Sequence, residues 1–363
     1  SKSTSNSNDL IKELLEDQAG NIWIASDFGL SIYDPETNFF FRWRHNPDDE
    51  QSIGSNYCRG LLQDKQGIVW IATDRGFSKY DRGAFPFTTF SHDPKNKTSL
   101  SSNYVNAMVV GLKGRYWIGT DNGLNQFDPI TLQFTTHSAV HAQMSSSYIT
   151  SIASDRDGKL WLGTDKGLYH YNPDNKSLVA YMNDERMRTV SYVGGVLCLW
   201  LEKNDVLLAG TWDGLYIRQP GSEIFTRYLP AIKGRVQSMV RDDNGVLWVG
   251  TREYLVRVSN EQQEQPTLDF FQHQADNPAS ISYNNINVLF QSSTGVLWIG
   301  TAGGGLNYFD YTTGDFHTIT WDARLPSDNI HGILEDQQQH LWISTDKGLC
   351  RFNLENKKIT VYG

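Results

Sequence analysis

Short apolar runs alternate with Gly, Asp and Pro turns along the whole chain, and none continues at the helical period. The most regular run is Trp117-Ile118-Gly119-Thr120-Asp121-Asn122-Gly123-Leu124. It recurs with small changes after Trp23, Trp70, Trp161, Trp248, Trp298 and Trp342, and once with Leu208 in place of the tryptophan. These eight anchors lie between 40 residues (Leu208 to Trp248) and 50 residues (Trp248 to Trp298) apart. A period in the forties built of strand-like segments signals a repeat array.

The third repeat shows the unit. Tyr104 to Val110 reads as a strand, Gly111 to Gly114 as a turn, and Tyr116 to Thr120 as a second strand. Asp121-Asn122-Gly123 is a tight hairpin loop with Gly123 able to take positive φ. Leu124 to Phe127 is a third strand, ended by Asp128-Pro129, and Gln133 to Thr136 a fourth. Four short antiparallel strands per unit, here A to D from inside to outside, describe a propeller blade. The expectation is an all-β single domain over residues 1–363, a β-propeller of eight four-stranded blades, with seven as the alternative. Strand A of the first unit is expected at Leu10 to Leu15 and strand D of the last at Lys358 to Tyr362, with no strand left over. The strand B tryptophans are expected to pack blade on blade. The Thr-Asp pairs after them read as turn chemistry.

The D-x-x-G-x-x-W-I-G-T-D-x-G-L run, followed by Tyr-Asp-Pro, resembles the two-component regulator propeller repeat over essentially the whole chain. Linkers such as His92 to Asn103 are similar to that family's too. The resemblance implies the sensor half of a membrane receptor, lying on the periplasmic or extracellular side and detecting glycans or other small solutes.

Composition narrows the partners. A net charge of -9 builds no basic face, which argues against nucleic acid. No apolar run is long enough for a membrane span, so a membrane would be reached only through a tether outside this chain. The polar start SKSTSNSND has no signal-peptide pattern and reads as a domain excised from a longer chain. Cys58, Cys198 and Cys350 share no metal-type spacing and read as small buried residues; no metal or cofactor is expected.

A ligand would sit where strands A begin and the B–C loops turn, at the channel mouth. Thirteen residues before the anchors stand Leu10, Tyr57, Tyr104, Tyr148, Gly195, Arg235, Asn285 and Asn329. Two residues further on stand Lys12, Arg59, Asn106, Thr150, Leu197, Gln237, Asn287 and His331. The position between them is apolar or cysteine in every repeat, so period-two alternation puts it between blades and the flanking sets on the channel wall. The B–C loops of repeats five to seven depart from Asp-x-Gly together, as Trp212-Asp213-Gly214, Arg252-Glu253-Tyr254 and Gly303-Gly304-Gly305. Candidate binding residues are therefore Tyr57, Arg59, Tyr104, Asn106, Tyr148, Arg235, Asn285, Asn287 and His331, with Trp212, Arg252 and Tyr254 on the loops. Tyrosines stack on sugar faces and arginines hold an anionic group, so the expected ligand is a carbohydrate or similar small polar solute. A protein-interaction ring and a polysaccharide lyase or hydrolase are the alternatives. No GxSxG, HExxH or phosphate-loop motif supports catalysis. A homodimer would suit a sensor.

Overall fold

The computed structural model describes residues 2–3, 10–49, 51–80, 88–111, 116–137, 140, 143–144, 146–155, 157–181, 195–202, 205–222, 225–261, 263, 265–320 and 325–362. The expected turn at Gly111 to Gly114 lies outside these residues beyond Gly111. Among the described residues the chain forms eight antiparallel sheets, each made of consecutive strands in the order A-B-C-D, the blades of a β-propeller. Blade 3 has its strands at Val105–Val110, Tyr116–Thr120, Gly123–Asp128 and Gln133–Thr136. Strand A of blade 1 is Ile11–Glu16 and strand D of blade 8 is Ile359–Tyr362. One strand was not foreseen. Lys2–Ser3 pairs with Phe40 and Phe41 and makes the first sheet five-stranded. A two-residue polar strand carries no periodicity, and its antiparallel bonds simply complete the outer edge of Phe39–Trp43.

The blades fall into two compact units. One comprises Ser1–Ile24, Ser31–Arg42 and Pro230–Gly363, which hold most of blade 1 and blades 6 to 8. The other comprises Ala25–Leu30 and Trp43–Leu229, which hold blades 2 to 5 and the B–C hairpin of blade 1. Within the first unit Trp342 of blade 8 packs with Ile11, Ile24 and Tyr33 of blade 1, so the eighth blade is covered by the first with no shared sheet.

Three devices recur in the gaps between blades. First, strand B is buried along its length, and the second residue after its tryptophan is small. A Cβ on Gly119, Gly250 or Gly300 would meet the Cγ2 of Ile149, Ile286 or Ile330 at 2.6, 2.7 and 2.6 Å. The aliphatic side chain of the next strand A sits where that Cβ would be. Cys58 holds the equivalent strand A position in blade 2, fully buried beside the Ser26 backbone, and burial pushes its thiol up to about 12. It is a packing residue, as expected. Second, the strand B tryptophans are buried against the following blade: Trp117 packs with Ile149, Leu160 and Leu162, and Trp70 with Tyr116 and Phe127. Third, an aspartate six residues earlier fixes the indole. Asp17, Asp64, Asp242 and Asp336 accept from Trp23, Trp70, Trp248 and Trp342 Nε1 at 2.9, 3.1, 3.0 and 2.8 Å. Their other oxygens cap the A–B turn; Asp64 Oδ1 accepts from the Gln66 and Ile68 amides, both at 2.9 Å. Tyr116 of the next blade adds a hydroxyl to Asp64 Oδ2 at 2.7 Å, so the buried carboxylate is fully satisfied.

Blade 7 lacks this aspartate. Ser292 stands in its place, and Trp298 Nε1 is buried without a hydrogen-bond partner. Ser292→Asp is expected to supply the acceptor and raise stability by about 1 kcal/mol. Asp64→Ala, which strands the Trp70 indole, should lower it. Urea unfolding of both variants reads the result, and no gain in Ser292→Asp would overturn the role given to the carboxylate.

Blade 4 uses a different pair. His170 stacks on Trp161 at 4.1 Å and 16° and meets Asp155 at 3.1 Å. Arg218 of blade 5 lies over the other ring atoms, 4.9 Å from the Trp161 centroid. Burial pulls the His170 pKa below 6.5; Asp155 opposes this, while Arg218 and Lys159 reinforce it. The unfolded chain therefore binds more protons between the folded pKa and 6.5, and stability must fall as pH drops through that window. Thermal melts from about pH 7 to about pH 5 should show a shallower loss for His170→Gln than for the wild-type protein.

Candidate functional site

The expected site residues sit at the end of the sheets where strands A begin, and three features of the backbone put them there. The D–A linkers are the first. The backbone amides of His45, His92 and His273 donate to the Oδ1 atoms of Asn56, Asn103 and Asn284, at 2.8, 2.6 and 2.7 Å. Their Nδ1 atoms meet the carbonyls of Ile53, Leu100 and Ile281 at 2.9, 2.6 and 3.1 Å. A carbonyl only accepts, so Nδ1 carries the proton. Ile53, Leu100 and Ile281 are fully buried plugs. Each asparagine immediately precedes the first site position, Tyr57, Tyr104 or Asn285, and fixes its backbone.

The B–C hairpins are the second. Ser26, Thr73, Thr120, Thr164, Thr211, Thr251, Thr301 and Thr345 each donate their hydroxyl to a carbonyl across the turn. The next amide reaches back to strand A: Asp74 to Tyr57 O, Asp121 to Tyr104 O, Arg252 to Arg235 O and Ala302 to Asn285 O, at 3.3, 3.2, 3.1 and 2.9 Å. Turn chemistry is thus what the Thr-Asp pairs perform, and it ties loop to strand.

The third is a β-bulge in strand A of blades 2 to 8. The register slips at Cys58/Gly60, Val105/Ala107, Ile149/Ser151, Val196/Cys198, Val236/Ser238, Ile286/Val288 and Ile330/Gly332. The extra residue is Arg59, Asn106, Thr150, Leu197, Gln237, Asn287 or His331. Simple period-two alternation is therefore not what exposes this set; the bulge does. It turns the side chain sideways. Asn106 donates to Ile149 O of the next blade at 3.2 Å, Gln237 to Ile286 O at 2.8 Å, and Asn287 to Ile330 O at 2.9 Å.

In the unit of blades 2 to 5, Tyr57, Tyr104 and Tyr148 are exposed by 53%, 42% and 39%. Arg59 lies over the Tyr104 ring at 4.7 Å and reaches Asn106 Oδ1 at 3.4 Å. One face of Tyr104 is therefore already occupied by the guanidinium. Blade 5 has no tyrosine at this position. Gly195 stands there, and a Cβ on it would come within 3.4 Å of Trp212 Nε1. The indole from the B–C loop takes the place of the missing ring, so four consecutive blades each present an aromatic group at this end.

In the unit of blades 6 to 8 and blade 1, the polar residues form a ladder. Gln237 also donates to Asn285 at 3.0 Å, and Asn287 to Asn329 at 3.2 Å. Asn329 donates to Asp346 at 2.6 Å, and His331 Nε2 bonds the same carboxylate. Burial pushes the Asp346 carboxyl up, but the bonds from His331 and Asn329 outweigh it and hold it below its ordinary value. Arg235 is half-buried beside the exposed Arg252; burial, then the Arg252 charge, pulls its pKa down. Tyr254, expected among the binding residues, is held by the fold. Its hydroxyl donates to Lys233 O at 2.6 Å and accepts from Lys233 N at 2.7 Å, and its ring packs edge-on against Phe270.

Two contributors were missed. Asp346 reads as a turn residue but gathers Asn329 and His331. Tyr283, 44% exposed, lies over the Gly303-Gly304-Gly305 loop, its ring 3.7 Å from where a Gly303 Cβ would be. A Cβ on Gly304 would strike Ser282 Oγ at 2.5 Å. The triple glycine was the signal: a loop without side chains makes room for a neighbour.

Five segments, residues 52–75, 143–166, 232–253, 280–303 and 324–347, match the sequence model of the two component regulator propeller. They cover the stretch from linker to B–C loop in blades 2, 4, 6, 7 and 8, and these five blades carry two-component regulator propeller repeats. A 131-residue stretch, 35% of this chain, is 28% identical to histidine kinase P4 of Formosa agariphila, of which it spans 9%. The fold is similar to the extracellular domain of a putative hybrid two component system from B. thetaiotaomicron, with a TM-score of 0.62 and 23% identity over 97% of this chain and 52% of that one. It is also similar to virginiamycin B lyase from Staphylococcus aureus, with a TM-score of 0.51 and 11% identity over 96% of each chain. The chain thus spans about half, or far less, of the receptor-type proteins it matches.

Removing the Tyr254 hydroxyl should act on stability alone. Tyr254→Phe is expected to cost about 1 kcal/mol, read as a lower melting temperature. An unchanged melting temperature would return Tyr254 to the binding residues.

Proposed function

We propose that this chain is the extracytoplasmic sensing propeller of a signal-transduction receptor, and that it binds a carbohydrate or similar polar solute where strands A begin. The sensor reading is supported by the repeat family, by the partial match to a histidine kinase and by the fold of an extracellular two component domain. Among the described residues no helix is long and apolar enough to cross a membrane, so attachment would come through a tether elsewhere in the receptor. The reading is non-catalytic; likeness to a lyase at 11% identity is likeness of fold.

The observation that carries the ligand class is the run of rings on four consecutive blades, the exposed Tyr57, Tyr104 and Tyr148 and the partly buried Trp212. Polar surfaces rarely hold aromatic rings in series unless an apolar face must be met, and the C–H face of a sugar is such a partner. Arg59, held over Tyr104, offers bidentate bonding to a carboxylate or sulfate beside those rings. The amide ladder of blades 6 to 8 offers donors and acceptors suited to hydroxyls.

Calorimetry of the purified chain against neutral and acidic oligosaccharides tests this. Tyr57→Ala and Tyr148→Ala are each expected to weaken binding by roughly 3- to 10-fold at an unchanged melting temperature. Arg59→Ala and Arg235→Ala should weaken only acidic ligands, with a loss that shrinks as salt is raised. Equal affinity in the folded Tyr57→Ala/Tyr148→Ala double variant would remove these rings from the site.

A further inference from the structure

The outer parts of the gaps between blades are not filled alike. Between blades 2 and 3 four phenyl rings meet. Phe77 pairs across strands with Phe90, and Phe127 with Phe134, with centroids 5.2 and 4.8 Å apart. Phe90 reaches Phe127 at 5.0 Å and Phe77 reaches Phe134 at 5.8 Å. The same register between blades 7 and 8 sets Leu306 opposite Ile319, and Phe352 opposite Ile359. Three of the four rings are replaced by aliphatic side chains.

The space those rings would fill is left open to the surface. A groove of about 500 Å³ lies there, lined by Ile319, Phe352, Ile359, Tyr308, His317 and Lys357. That volume is in the range of pockets for small molecules. Phe352 is its buried floor. The His317 ring lies stacked on Tyr308 at 4.9 Å and 24° and forms one wall. Asp310 Oδ2 stands 3.9 Å from His317 Nε2. Lys357, exposed at the rim, leaves the groove with a cation at one end.

We propose that this groove is a binding site for a small aromatic acid. The ring takes the place that Phe90 and Phe134 occupy between blades 2 and 3, against Phe352, Ile359 and Tyr308, and the acid group faces Lys357. The site lies on the outer strands, away from the residues of the carbohydrate reading, and stands or falls independently of it. Its chemistry follows from packing: an aromatic slab is what this register holds where the gap is full, and edge-to-face contact with Phe352 and Tyr308 favours a ring over an aliphatic chain.

The probe is 2-naphthoate, titrated into the intact chain and followed by calorimetry. Saturable binding to one site is expected. Ile359→Phe restores the ring that Phe134 supplies in blade 3, and should weaken the probe at least ~10-fold while keeping or raising the melting temperature. Ile319→Phe, the counterpart of Phe90, should do the same from the opposite wall and serves if the first variant folds poorly. Lys357→Gln should weaken naphthoate several-fold and flatten its salt dependence, leaving the neutral alcohol 2-naphthalenemethanol unaffected. Absence of saturable binding, or unchanged affinity in both phenylalanine variants, would overturn the site. Equal affinity for acid and alcohol would overturn the role of Lys357.

Discussion

Much of the packing between blades turns on one steric fit, built between blades 3 and 4, 6 and 7, and 7 and 8. An aliphatic side chain of strand A enters the space left by a glycine on strand B of the blade before it, as Ile149 does at Gly119, Ile286 at Gly250 and Ile330 at Gly300. A methyl group at the glycine would overlap the isoleucine outright, so the two sheets approach as closely as backbone permits. That closeness lets Trp117 reach Leu160 and Leu162 across the gap. Between blades 2 and 3, where Ala72 stands at the glycine position, Tyr116 completes the carboxylate of Asp64. The aspartates turn the fit into an orientation: a carboxylate that caps its own A–B turn and holds an indole leaves the tryptophan one position, and the next blade one surface to meet.

The same close approach shapes the end of the sheets that carries the candidate ligand residues. Strand A cannot move sideways, because its buried residue is locked in the glycine seat. The residue after it is extruded as a bulge, and its side chain lies along the neighbouring strand rather than across the gap. Asn106, Gln237 and Asn287 use this to bond the carbonyl of the very residue that is seated next door. Packing and polar surface are thereby coupled. A ligand that competes for those amides would act on the bond that braces one blade against the next, a short route from binding to a change between blades.

Much of this was legible in the sequence because the repeat multiplies weak signals. Strand B and its hairpin recur eight times, most copies with Thr, Gly and Leu in fixed places, and the predicted Tyr116 to Thr120 and Gln133 to Thr136 strands coincide with those observed. What was not legible depends on geometry that letters do not carry. A bulge leaves no mark when the residue it extrudes is Arg in one blade, Leu in another and His in a third. The carboxylates of Asp64 and Asp346 look like turn residues because they are; their second oxygens act on partners far away in sequence. Tyr254 looked like a ligand group because a tyrosine had replaced a loop glycine, yet its hydroxyl is spent on the backbone of Lys233.

The exchange at blade 5 separates what the fold needs from what the surface keeps. Nothing in the core asks for a ring there: Leu208 replaces the tryptophan of strand B and is fully buried without it, and the hairpin needs only Thr211 and Gly214. A glycine has nevertheless opened at the start of strand A, and an indole from the loop has moved over it. An aromatic group thus stands beside those of blades 2, 3 and 4, although it comes from the B–C loop and not from the start of strand A, and its ring is partly buried where the three tyrosines are exposed. The proposed ligand contact at this end of the sheets therefore draws on a run of four rings whose fourth member is set by the close approach of Gly195 to the Trp212 indole.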